Sequence, residues 1–153
     1  MWLRVEKKHN MLEHENELTR QIIGAAIEVH KTLGGPGLLE SVYKEALAEE
    51  LRRMGLRVAR EVPCPIVYKG RKLGEPLRID LLVEDAIVVE AKAAVANNPV
   101  FAAQCLTYLR LSGRKLGLVV NFGRKHVTDG VERVLNPLAL SPEENQSIPV
   151  PNP

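Results

Sequence analysis

At 153 residues with 45% hydrophobic content, the chain suits one domain with a full core and leaves little room for a second. A net charge of +2 with a pI near 8.6 is too mild to demand nucleic acid on its own. Cys64 and Cys105 are too few and too separated for a zinc pattern, and the histidines at positions 9, 14, 30 and 126 show no ligand spacing with them, so both thiols are expected free and reduced.

Met1 to His14 is mixed and charged, lacks the apolar core of a secretory signal, and reads as an N-terminal extension. No run could span a membrane, so a cytoplasmic protein is expected. The domain proper is expected over 15–136. Residues 15–33 predict an amphipathic helix, with Leu18, Ile22, Ala25, Ala26 and Val29 at helical spacing and Gly34-Gly35-Pro36 as the stop. His30 falls in its last turn, where it complements the helix dipole. A second helix is predicted from about Leu38 to Met54, ending at Gly55, with Glu40, Tyr43 and Leu47 on one stripe.

A hairpin follows, Pro65-Ile66-Val67-Tyr68 turning at Lys69-Gly70-Arg71 into Leu73. It leads into the chain's most informative pair of runs, Arg78-Ile79-Asp80-Leu81-Leu82-Val83 and Ile87-Val88-Val89-Glu90-Ala91-Lys92. Side chains alternate faces along a strand. If the two runs form a hairpin through a three-residue turn at Glu84-Asp85-Ala86, Val83 sits opposite Ile87 and Asp80 opposite Glu90, so Asp80, Glu90 and Lys92 share a face. The other face is then Ile79, Leu81 and Val83 against Ile87, Val89 and Ala91, all apolar. A two-residue turn would separate Asp80 from Glu90. A phosphodiester is anionic and repels hydroxide. Two carboxylates that hold Mg²⁺ or Mn²⁺ would lower the pKa of a bound water and neutralise the phosphate, while the Lys92 ammonium orients the water or stabilises developing charge. The pattern therefore points to a metal-dependent phosphodiesterase with Asp80 and Glu90 as metal ligands and Lys92 as charge-stabilising partner. The plain alternative is a solvated hairpin face on which Glu90 and Lys92 pair.

A third helix is predicted with Asn98 as cap and Pro99 in the first turn, placing Gln104 and Tyr108 on one face. Leu116 to Phe122 reads as a buried strand, reached by this crossover helix and so parallel to the Glu90 strand. Residues 126–135 fit a helix or an edge strand. From Pro137 to 153 the composition is that of a flexible tail. The coarse order is α-α-β-β-β-β-α-β.

Gly37-Leu38-Leu39-Glu40-Ser41-Val42-Tyr43 matches the signature of the GxxExxY protein family, and Ala26-Ile27-Glu28-Val29-His30 through Leu33-Gly34 also looks like it; the resemblance runs from about Leu18 to Phe122. That family resembles a compact branch of the PD-(D/E)xK nuclease superfamily. The resemblance implies an α/β fold of the restriction-endonuclease-like type, a mixed sheet flanked by helices, and a Mg²⁺- or Mn²⁺-dependent nuclease acting on nucleic acid, DNA in preference. It assigns Glu40 to the acidic residue of the first core helix. Gln104-Cys105-Leu106-Thr107-Tyr108 is similar to the Q-x-x-x-Y motif of an exonuclease-like branch, so Gln104 completes the site by bonding a phosphate or a metal-bound water. Tyr108, Tyr43 and His30 stand as candidate nucleic-acid contacts, with core packing the alternative for Tyr108. The superfamily's Pro before the first acid is replaced by Ile79.

Basic residues gather at Arg52, Arg53, Arg57 and Arg60, at Lys69, Arg71 and Lys72, and at Arg110, Arg114 and Lys115; a solvated surface explains each as well as phosphate binding does. Two competing readings are a non-catalytic nucleic-acid- or protein-binding module of the same fold, and a hydrolase of small phosphoesters with a closed pocket. A symmetric homodimer, with two copies embracing a duplex, is expected.

Overall fold

The chain is described by a computed structural model over residues 12–146. Most of the expected N-terminal extension, residues 1–11, and the end of the tail, residues 147–153, lie outside the described residues. Two helices come first, α1 (Glu13–Thr32) and α2 (Glu40–Arg53), followed by strands β1 (Val58–Cys64), β2 (Val67–Tyr68), β3 (Arg71–Lys72), β4 (Leu77–Val83) and β5 (Ile87–Lys92). Helix α3 (Pro99–Ser112) crosses to β6 (Leu116–Asn121), and a 3-10 turn (Val127–Gly130) leads to β7 (Val131–Leu135). The expected order is thus present with two strands added, β1 and β7; the undecided segment 126–135 resolves as the 3-10 turn plus an edge strand. From Pro137 the expected flexible tail forms a second 3-10 turn (Pro137–Ala139) and a short helix α4 (Pro142–Gln146). This part is held by buried Leu140 and by Lys115 Nζ 2.7 Å from Glu144.

Five strands form one mixed sheet in the order β1-β4-β5-β6-β7, while β2 and β3 pair only with each other. Only β5 and β6 run parallel, as the crossover through α3 requires. Helices α1 and α2 cover one face. Leu18, Ile22, Ala25, Ala26 and Val29, the periodic residues of α1, pack with Leu47 and Leu51 of α2 against Leu81, Val83, Ile87, Val89 and Leu118. Each such buried aliphatic side chain contributes roughly 1.5–3 kcal/mol relative to an exposed one. On the other face α3 presents Cys105 and Leu109 to Leu82, Val88, Val119 and Val134. The approach there is close, because a Cβ on Gly117 of β6 would lie 2.6 Å from Cys105 Sγ and 3.1 Å from the Val88 carbonyl. Among the described residues no helix is long and apolar enough to cross a membrane.

The hairpin of β4 and β5 adopts the three-residue turn. Val83 pairs with Ile87, Leu82 with Val88 and Leu81 with Val89. Glu84 and Asp85 both take left-handed backbone angles, φ 51° and 54°, which is costly for residues with a Cβ. The turn is clamped from both sides. Glu84 accepts from the Arg57 backbone and Nε, each at 2.9 Å, and these bonds hold its carboxyl below the usual range. Asp85 receives Arg114 through its carboxylate at 2.6 Å and its carbonyl at 3.1 Å.

Alternation is not kept along all of β4. Ile79 joins Leu82 in the α3-side core, whereas Leu81 and Val83 face α1 and α2. The expected uninterrupted apolar face of Ile79, Leu81 and Val83 is corrected accordingly: the strand turns at Asp80, and the regular β4–β5 pairing stops at Leu81–Val89.

Candidate active site

Where the β4–β5 ladder stops, carboxylates take over the backbone's bonding. Asp80 N–H donates to Glu90 Oε1 at 3.2 Å, and Ala91 N–H donates to Asp80 Oδ2 at 2.9 Å. Each acid is thereby tied to the neighbouring strand, which fixes the two side by side. Glu90 is only 2% exposed. Burial, then the charge of Asp80, pushes its carboxyl up to about 8, against a smaller lowering by the Asp80 N–H. Two acids this close, one of them desolvated, require a proton or a cation between them.

Lys92 ends β5 on the same side. Its Nζ donates to Gln104 Oε1 at 3.1 Å and lies 5.2 Å from the Phe101 ring centroid. Helix α3 supplies both partners, and its start is fixed as the sequence predicts: Asn98 Oδ1 accepts from Val100 N–H at 3.0 Å with Pro99 next in the chain. Tyr108, one turn beyond Gln104, is half-buried against the α3-side core. Its hydroxyl is pushed up to about 12 by burial and then by Glu90 and Asp80, which places it within their field. Asp80, Glu90, Lys92, Gln104 and Tyr108 are thus brought together.

The remaining predicted residues are not. Glu40 opens α2 and is exposed, and among the described residues no hydrogen bond or ion pair joins it to the two acids. Tyr43 is fully buried; its hydroxyl donates to the Gly35 carbonyl at 2.6 Å and accepts from Leu38 N–H at 3.2 Å, and its ring stacks on Phe122 at 4.8 Å and 3°. A nucleic-acid contact through Tyr43 is therefore corrected to a core role. His30 is corrected likewise: it is 6% exposed, donates from Nε2 to the Phe122 carbonyl at 3.1 Å, and lies against Tyr43 and Phe122.

Three residues at the site carry no sequence motif. Lys44, one helical turn after Glu40, reaches Asp80 Oδ1 at 3.5 Å and Glu61 Oε1 at 2.5 Å. The bond to Glu61, followed by the charge of Asp80, holds its ammonium above the ordinary value despite burial. Glu61 lies on β1 between Arg60, paired with Leu81, and Val62, paired with Ile79, so it stands abreast of Asp80; it takes φ 51° there. Glu61, Asp80 and Glu90 consequently form one acidic row across β1, β4 and β5, with Lys44 over one end and Lys92 near the other. The spacing of four from Glu40 was the signal available for Lys44. Asn121 is the third. Fully buried, it accepts at Oδ1 from Ala94 N–H at 2.9 Å and Gly123 N–H at 3.0 Å, and donates from Nδ2 to Asn97 Oδ1 at 3.2 Å. It thereby holds the segment joining Lys92 to α3.

Asp80 and Glu90 suit a hard divalent cation, which prefers oxygen ligands and adds positive charge beyond that of Lys44. Among the described residues no group of three or more His, Cys, Asp or Glu side chains converges to hold a metal. Two carboxylates still suffice for an ion that keeps several waters.

Residues 16–134 match the family model described as the PD-(D/E)XK nuclease superfamily. Neither the curated proteins nor the solved structures yield a match.

Proposed function

Because the chain belongs to the PD-(D/E)XK nuclease superfamily, we propose that it is a nuclease of the GxxExxY branch, hydrolysing phosphodiester bonds of nucleic acid, DNA in preference. Members of the superfamily typically use divalent metals, and we assign Mg²⁺ or Mn²⁺ to this site, held by Asp80 and Glu90. The observation that carries the reading is the adjacency of these two acids, one almost wholly buried and pushed up to about 8 by burial and its neighbour. Groups so perturbed gather at sites of chemistry.

When bound, the ion would lower the pKa of a water and offset the charge of the phosphate. The chain's own residues do the rest. Asp80 and Glu90, cross-tied through Ala91 N–H and Asp80 N–H, keep their carboxylates on one spot without rearrangement. Lys92, two residues after Glu90 on β5, orients the attacking water or stabilises charge on the phosphoryl oxygens. Gln104 aims that ammonium through Oε1 and retains its amide N–H groups to donate to a phosphate. The Phe101 ring sets the other side of the Lys92 head group. Glu40, exposed at the start of α2, stays outside this set in the structure. We further propose a homodimer acting in the cytoplasm; light scattering that gives a monomer at working concentration would remove the dimer.

The deciding experiment is cleavage of single- and double-stranded DNA and RNA by purified protein with Mg²⁺, Mn²⁺ or a chelator, beside Asp80→Ala. Metal-dependent cutting that the variant loses is the expected result. Absence of cutting with every substrate and metal, from a protein that still binds nucleic acid, would overturn the nuclease in favour of a binding module.

A further inference from the structure

The β2–β3 hairpin carries a feature that the acidic row does not explain. Its four strand residues, Val67, Tyr68, Arg71 and Lys72, are all exposed, Val67 at 55% and Tyr68 at 59%. An isolated two-stranded hairpin is at best marginally stable in water, and large exposed side chains on it contribute nothing to the core. The turn is well formed even so, with Lys69 and Gly70 both at positive φ, 47° and 78°, as a two-residue hairpin turn demands. The segment 65–74 contains Lys69, Arg71 and Lys72 and no acidic residue.

Its cations differ from several that acids neutralise elsewhere on the surface. Arg53 pairs with Glu49, Arg57 with Glu84, Arg114 with Asp85 and Lys115 with Glu144. Among the described residues Lys69, Arg71 and Lys72 enter no ion pair; Lys69 lies over the Tyr68 ring at 5.4 Å instead. Position gives the hairpin its meaning. It springs from the point where Cys64 of β1 pairs with Leu77 of β4, three residues before Asp80. Because β4 and β5 are antiparallel, this is the end of the sheet at which Lys92 lies. Three strand residues span about 10 Å, so the hairpin begins within that distance of the acids.

We infer that the β2–β3 hairpin is an arm that grips a single-stranded stretch of nucleic acid, with Lys69, Arg71 and Lys72 on successive phosphates and Tyr68 stacked on a base, and feeds it to the acidic row. The inference rests on the nuclease reading for its substrate class. Unpaired cations at an exposed tip match a polyanion, and an exposed tyrosine stacks on any unstacked base.

The test measures anisotropy of a labelled single strand and of the matching duplex with the full chain in chelator, from 50 to 200 mM salt. It compares wild type, Tyr68→Ala, Tyr68→Phe and the combined Lys69→Ala, Arg71→Ala, Lys72→Ala variant. Removing three phosphate contacts is expected to flatten the log–log salt slope on the single strand by about 2. Tyr68→Ala is expected to weaken single-strand binding roughly 5- to 150-fold with the slope kept, and Tyr68→Phe to restore it. Wild-type slope and affinity in the combined variant would overturn the arm, and leave the nuclease standing if wild type cuts. Loss of the slope in that variant, with no cutting by wild type under any metal, would establish the arm and remove the nuclease. Wild type that binds no nucleic acid overturns both.

Discussion

Two groups of polar residues lie under the same sheet end, and they have spent their polarity in opposite ways. In the trio of His30, Tyr43 and Phe122, the polar side-chain atoms turn to backbone: His30 Nε2 bonds the Phe122 carbonyl, and the Tyr43 hydroxyl bonds both Gly35 and Leu38. In the pair Asp80 and Glu90, two acids face each other and burial holds one up at about 8. The first arrangement costs little to bury because its groups are satisfied; the second retains an electrostatic demand that only a proton or a cation meets. Motif residues therefore divide into those that build the scaffold and those left with charge facing charge, and that residual charge separates them better than position in the motif does.

The contrast is broken most severely by removing an acid. Glu90→Gln should reduce metal-dependent cleavage by roughly 10³-fold or more while the folded protein survives, as a thermal melt alongside the cleavage assay would show; a variant that unfolds instead would make Glu90 part of the scaffold. Tyr43→Ala should do the converse, costing about 3–5 kcal/mol of stability by denaturant melt. A cost under 1 kcal/mol there would deny Tyr43 its core role. The third test uses pH. Glu90's carboxyl is raised in the folded state from its ordinary 4.5 to about 8, so its contribution to stability is fully present below 4.5 and lost as pH rises through 8. Metal-free protein should melt at lower temperature at pH 9 than at pH 5, Glu90→Gln should lose that dependence, and Mg²⁺ should restore more of the melting temperature at the higher pH. The smallest effect is expected of Lys44→Met. Taking the ammonium from Asp80 and Glu61 should tighten Mn²⁺ binding about tenfold by titration; unchanged affinity would leave Lys44 a structural ion pair.

The three-residue turn, and with it the meeting of Asp80 and Glu90 near one spot, was legible because turn length dictates which side chains share a face. The Asn98 cap and the apolar stripe of α1 were legible for the same local reason. Strand β1 was not: Val58 to Cys64 reads Val-Ala-Arg-Glu-Val-Pro-Cys, an edge strand without apolar alternation, and Glu61 leaves the extended region altogether. Missing β1 hid Glu61, and with it the ion pair to Lys44, which joins elements 17 residues apart in sequence. Alternation also misled at Ile79, since the strand turns where Asp80 abandons the ladder. The helical stripe of Glu40, Tyr43 and Leu47 foretold proximity along α2 but not depth, so exposed Glu40 and buried Tyr43 looked alike.

The close seat of α3 on Gly117 has a consequence for measuring motion. Cys105, pressed between helix and sheet, is fully buried, and burial and then Glu90 push its thiol up to about 12. A thiol in that state is unreactive toward alkylating reagents until the helix lifts. Read at Cys105 by mass spectrometry, apart from the other free thiol, Cys64, its labelling rate is therefore a clock on the opening of the helix that carries Gln104.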